Sequence, residues 1–210
     1  MQQTVIKFAS GLGLTLTASM YELLAQYADL VWQKKDMLNL TSVSDKNEIF
    51  TRHICDGLAA ASVLNTVAAG RDLSAADLGT GAGYIGLTCA VVCPCVQMTL
   101  IDSLQKRCAF LNWATMKLGL KNVSVENIRL GQQPTKHFDF VTERAMGPLP
   151  EILPLAAACL QKGGEFLAYQ SQVGKIDESS LHRLALKEGT PVGYTLPGET
   201  QTRYLMRFKA

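Results

Sequence analysis

Between residues 76 and 86 the chain reads Ala-Asp-Leu-Gly-Thr-Gly-Ala-Gly-Tyr-Ile-Gly, and the next apolar run closes on Ile101-Asp102. An apolar strand that stops at an acidic residue, turns through alternating glycines and enters a helix is the physical form of a nucleotide cradle. Only residues without a side chain let backbone N–H groups approach a ligand closely. The turn therefore points to an adenosine-type cofactor. Gly81 to Gly86 also satisfies the G-x-G-x-x-G pattern of dinucleotide sites, a weak signal when it stands alone. Two details favour S-adenosylmethionine. Asp77 directly precedes the turn, where it would repel a pyrophosphate and attract a cationic amino group or sulfonium. Gly79, Gly81 and Gly83 alternate, which suits an amino acid and a ribose better than two phosphates. Asp102 can accept two hydrogen bonds from the ribose diol of either cofactor. A phosphate loop would need a Gly-Lys-Ser/Thr ending that is not there.

Around the turn, apolar runs of strand length alternate with helical patterns. Strands are expected over 73–78, 96–101, 123–126, 138–142, 165–170, 192–196 and 203–208. Helices fill 83–92, 104–118, 149–160 and 179–188. Ahead of the first strand, Met20, Leu23, Leu24, Tyr27, Val31 and Trp32 form one helical stripe. Asp45 and Glu48 stand at capping-box spacing before a further helix through Leu58. Alternating strands and helices imply a parallel sheet covered on both faces. The short Pro197-Gly198-Glu199 link makes the last two runs antiparallel. The fold class is thus α/β and Rossmann-like: seven strands, mostly parallel, with a closing antiparallel hairpin. Residues 1–70 form a helical segment packed on a core of residues 71–210. Ligands in such sheets sit beyond the carboxyl ends of the strands, which gathers Asp77 to Gly83, Asp102, the segment after Glu126 and residues 142–148 around one crevice.

The 210 residues, 48% of them hydrophobic, suffice for one compact domain with a real core. The most apolar stretch, residues 84–101, is cut by Pro94, Gln97 and Thr99, so no membrane span is expected. The N-terminus lacks the pattern of a secretory signal, and a cytoplasmic protein is expected. The six cysteines form no C-x-x-C pair and sit in apolar surroundings, which reads as buried reduced thiols rather than a metal site. A formal net charge of +2 announces no nucleic-acid partner through the global field, and leaves room for a local patch. A small-molecule methyltransferase, a nicotinamide-dependent oxidoreductase and a non-catalytic RNA- or nucleotide-binding module stay open at this level.

Further residues carry a resemblance that covers nearly the whole chain. They are Asn39-Leu40-Thr41-Ser42, Arg52-His53-Ile54-Cys55-Asp56, the turn from Asp77 to Gly86, Leu100-Ile101-Asp102-Ser103-Leu104 with Lys106-Arg107, Arg144-Ala145 with Pro148-Leu149, and Pro197-Gly198-Glu199. In these the chain resembles the bacterial RsmG (GidB) family, which methylates N7 of a guanine in the 530 loop of 16S ribosomal RNA. The resemblance implies a class I methyltransferase core that binds S-adenosylmethionine and acts, as a monomer, on 16S RNA in the small ribosomal subunit or its precursor. It implies cofactor contacts at Gly79, Tyr84 and Arg144, with Asp102 on the ribose and Ser103 and Leu104 beside it. Leu130 and Gly131 fall where the family binds the adenine. Arg144 and His53 are the candidate catalytic residues: a guanidinium at a strand end can reach a cofactor carboxylate or an RNA phosphate, and an imidazole beside Arg52 can stack on a base. Arg52, Arg203 and Arg207 are the candidate RNA contacts. Departures from the family pattern are Gln170 in place of a lysine, Gly57 in place of a serine, and Met146 in place of a commoner apolar residue.

Overall fold

The computed structural model describes residues 1–131 and 136–210. Its strands are β1 (Leu73–Leu78), β2 (Val96–Asp102), β3 (Val123–Asn127), β4 (Phe138–Glu143), β5 (Leu160–Gln170), β6 (Lys187–Glu188), β7 (Val192–Thr195) and β8 (Thr202–Lys209). They form one eight-stranded sheet in the order β3-β2-β1-β4-β5-β8-β6, with β7 also paired to β8. The pairings from β3 through β5 are parallel and β8 runs against β5, as the strand–helix alternation requires. The helices are α1 (Gln2–Gly11), α2 (Ala18–Leu38), α3 (Lys46–Glu48), α4 (Cys55–Ala68), α5 (Tyr84–Val92), α6 (Gln105–Leu118), α7 (Leu149–Ala157) and α8 (Glu178–Arg183).

The strand count exceeds the expected seven because the edge strand is broken in two. Pro191, which has no N–H to donate, interrupts the ladder on β8. Lys187 and Glu188 pair with Lys209 and Phe208, and pairing resumes with Val192 opposite Leu205. The helix expected over 179–188 correspondingly stops at Arg183, where Ala185 takes a left-handed φ of 54° and turns the chain toward the sheet edge.

Side chains alternate across the sheet and bury both of its faces. Leu73 and Ala75 of β1 belong to a core shared with α1, α2, α4, α5 and α6, whereas Ala76 and Leu78 point into a second core with α7 and α8. No helix among the described residues is long and apolar enough to cross a membrane. Cys89 and Cys93 lie on the α5 face that meets α4, their thiols 3.8 and 3.7 Å from the carbonyls of Gly57 and Ala61.

The contact between α4 and α5 is close because Gly57 has no side chain. A Cβ there would lie 2.5 Å from Thr88 Cβ and 2.7 Å from the Tyr84 carbonyl oxygen. Gly57→Ser should therefore part the helices and lower stability by about 1–3 kcal/mol, and Thr88→Ala in the same chain, which removes Oγ1 but keeps Cβ, should restore only a small part of the loss. Urea unfolding of the single and double variants measures both effects, and equal midpoints for Gly57→Ser and the parent chain would refute the close fit.

Candidate active site

The register of β1, β2 and β4 sets Asp77 opposite Leu100 and Thr142, so these strands end at one level with Asp102 and Arg144 just beyond. The glycine turn rises from that edge and is tied down by the two acidic residues that flank it. Asp77 accepts from Thr80 Oγ1 at 2.5 Å and from the Gly86 N–H at 2.9 Å. Its burial pushes the carboxyl pKa up to about 6, against the pull of those two hydrogen bonds. Asp102 accepts from the N–H groups of Gly81 and Leu104, both at 2.9 Å, with Arg107 Nη1 at 3.5 Å. From the other side, the hydroxyl of Tyr27 donates to the Ala82 carbonyl at 2.9 Å, a role its place in the α2 core stripe did not disclose.

Above the turn lies a cavity of about 310 Å³, bounded by the turn itself, Thr41, His53, Tyr84, Arg107 and Arg144. Gly81 sits at φ 61°, and the nearest atom to a Cβ there would be 3.9 Å away, so a side chain at this position would project into open space. The buried hydroxyl of Tyr84 has no hydrogen-bond partner among the described residues. A bare backbone turn, an unpaired hydroxyl and an acidic residue at each strand end fit an adenosine-type cofactor bearing a cationic amino acid.

His53 belongs to a π-helical stretch, Ile49–Ile54, that joins α3 to α4. The wider turn sets its ring against Tyr84, with centroids 4.2 Å apart and planes 25° from parallel. Nδ1 stands 3.4 Å from Arg144 Nη1 and Nε2 stands 3.0 Å from Thr41 Oγ1. A guanidinium only donates, so Nδ1 accepts and Nε2–H donates to the threonine. Burial, then the charges of Arg144, Arg52 and Arg203, lower the His53 pKa to about 3. The ring is therefore neutral near neutral pH. An NMR titration from pH 8 to pH 5 should show no protonation shift for His53, and a midpoint above pH 5 would refute this environment.

Asp56, in the first turn of α4 and 1% exposed, organises the other side of the cavity. Its carboxylate accepts from Arg144 Nη1 at 2.6 Å, Arg203 Nη1 at 3.1 Å and the Tyr194 hydroxyl at 2.7 Å. Arg52, four residues before Asp56, reaches Glu48 and Glu199 instead. Burial alone would lower the Arg144 pKa; Asp56, together with Tyr169 and Asp77, outweighs it and raises the pKa above the ordinary arginine value. Arg144 therefore pairs with a residue 88 positions away rather than with a neighbouring glutamate.

The predicted residues divide by position. Asp77, Gly79, Gly81, Tyr84, His53 and Arg144 line the cavity. Gly83 caps α5 with φ 91°. Asp102 is buried, and Ser103 and the 42% exposed Leu104 follow it at the end of β2. Leu130 is half-buried and Gly131 exposed, both beyond the end of β3. Arg203 is held by Asp56 and Glu199. Arg207 lies farther down β8, with its Nε 2.5 Å from Glu165 Oε1, away from the strand ends where the cavity opens.

The rRNA small subunit methyltransferase G (GidB) family model matches residues 20–197. The ribosomal RNA small subunit methyltransferase G of Limosilactobacillus reuteri is 31% identical over 204 residues, covering 92% of this chain and 84% of that protein. Its namesake in Carboxydothermus hydrogenoformans is 30% identical over 218 residues, covering 100% and 91%. Among solved structures, a SAM dependent methyltransferase from Aquifex aeolicus aligns with a TM-score of 0.55 at 16% identity, over 72% of this chain and 89% of that one. Precorrin-6y C5,15-methyltransferase from Geobacter metallireducens aligns at 0.52 with 13% identity, over 84% and 96%. These structures share the methyltransferase fold. With its glycine turn, its paired strand-end carboxylates and a family match across most of its length, the chain belongs to the rRNA small subunit methyltransferase G family.

Proposed function

We propose that this chain transfers the methyl group of S-adenosylmethionine to N7 of a guanine in the 530 loop of 16S ribosomal RNA, within the small subunit or its precursor. The observation that carries the reading is the open cavity over Gly81, walled by Tyr84 and Arg144 at the carboxyl ends of β1 and β4. When bound there, S-adenosylmethionine supplies an electrophilic methyl group on a sulfonium. The turn from Gly79 to Gly83 offers backbone groups to the amino acid and ribose portions, and Asp102 offers its carboxylate to the sugar diol. Asp77, with its pKa of about 6, is ionised at neutral pH and favours a cation in the cavity. Ser103, Leu104, Leu130 and Gly131 border the adenine on this reading.

Guanine N7 is an in-plane lone pair that carries no proton, so no residue has to remove one. A neutral, hydrogen-bonded His53 suits that chemistry as a wall that holds Tyr84 and Arg144 in place. The chain's task is then to orient the base against the methyl group and keep it out of its stack, and orientation can supply roughly 7 kcal/mol or more. Arg52 shares its charge between Glu48 and Glu199, and contacts RNA only by exchanging them. Incubation with radiolabelled S-adenosylmethionine and small subunits lacking the modification should place label on one guanine N7 of 16S RNA. Label on another atom, or none with subunits and their precursors, would defeat the proposal.

A further inference from the structure

A second cavity, of about 300 Å³, opens beside the first and shares Arg144 and Ala145 with it. Asp56 of α4, Tyr169 and Gln170 of β5, Tyr194 of β7 and Arg203 of β8 line it, with Ser171 and Gln201 at its more exposed side. The junction is built rather than incidental. Ala145 takes a left-handed φ of 64°, which a non-glycine residue adopts at a cost, and the buried Glu143 accepts from the next N–H, that of Met146, at 3.3 Å.

We infer that this second cavity receives the extruded guanine, and that Arg144 at the junction selects guanine over adenine by donating to O6. The inference rests on the reading of the chain as an rRNA guanine methyltransferase. N7 and O6 lie on the same edge of guanine. A donor on O6 at the junction therefore leaves N7 alongside it, facing the cofactor cavity. Adenine would turn an amino group toward the same guanidinium, two donors with no acceptor between them, which costs a desolvated polar group. The hydrogen bonds of Arg144 to Asp56 and His53 both use Nη1, and the planar fork carries a second terminal nitrogen for another acceptor.

The charge balance favours a base over a phosphate. Arg144 and Arg203 are matched by Asp56 and Glu199, and Asp56 presents a buried carboxylate that would oppose an anion. The same balance lets the ring become cationic on methylation without facing unpaired arginines. The opposite edge of guanine carries N1–H and an amino group, both donors, and the amides of Gln170 and Gln201 and the Ser171 hydroxyl supply acceptors. Gln170 offers that edge an acceptor, which a third cation at this position would not.

Titrating guanosine monophosphate into protein with ¹⁵N-labelled glutamine side chains reads this cavity without cofactor or ribosomes. The Gln170 and Gln201 amide signals should shift saturably, and adenosine monophosphate at the same concentration should leave them in place. No shift with the guanine nucleotide, or an equal shift with adenine, would overturn the assignment. In turnover, Gln170→Leu should lower kcat/KM for unmodified subunits at least tenfold, with cofactor affinity and unfolding midpoint unchanged; activity within twofold of the parent chain would also overturn it. Absence of methyl transfer by the parent chain would fall on the proposed reaction instead, since the nucleotide titration stands apart from it.

Discussion

Asp56→Ala lowers the free energy of unfolding by about 3–5 kcal/mol, the cost of breaking a buried ion pair on one side. The carboxylate is 1% exposed and is the common acceptor for two guanidiniums and the Tyr194 hydroxyl. Removing it leaves Arg144, with a side chain only 21% exposed, beside Arg203 with nothing between them. It also frees α4 from the β7–β8 end of the sheet, because both Tyr194 and Arg203 are reached through this one side chain. Asp56→Asn keeps an acceptor oxygen and loses the charge, so its destabilisation should fall between the parent chain and alanine. Urea unfolding followed by circular dichroism measures all three proteins, and a loss below about 1 kcal/mol for alanine would show that the network is ornamental.

Asp102→Ala weakens S-adenosylmethionine binding by roughly 100-fold or more. Hydrogen bonds to a charged acceptor are each worth about 1.5–3 kcal/mol, and two to a ribose diol account for that factor at about 1.4 kcal/mol per tenfold. The structure adds a second effect, since the same carboxylate accepts from the Gly81 and Leu104 N–H groups at 2.9 Å. Losing it leaves those donors unpaired and costs about 1–3 kcal/mol of stability as well. Calorimetry on the folded variant at a temperature well below its unfolding transition separates the two. Unchanged affinity would remove Asp102 from the cofactor site, whatever happens to stability.

Much of the architecture was legible before any coordinates. The strand-turn-helix unit, the parallel alternation and the antiparallel final strand follow from apolar run length and turn residues, which are local signals. The broken edge strand was not legible, because residues 187 and 188 pair only where β8 offers an open edge. Asp45 does cap α3 as its spacing implied, with its carboxylate 2.9 Å from the Asn47 N–H, but Glu48 turns outward to Arg52 rather than back to the cap. Tyr27 sits in the core stripe its pattern implied, yet it spends its hydroxyl on the site, as does the buried Tyr194 of β7.

The order of residues by itself determined the glycine turn and its acidic anchors: Asp77, the alternating glycines and Asp102 are close in sequence, and the geometry of a turn between two strands brings them together wherever the fold forms. The tertiary structure alone decided what the arginines do. Arg144 follows β4 directly, while Asp56 and Arg203 belong to α4 and β8; Asp56 lies 88 and 147 positions from the two arginines, and ion pairing between such distant segments has no periodic or local signature. Only the docking of α4 against the sheet fixes which carboxylate each cation meets, and with it the second cavity that Arg144 joins to the first.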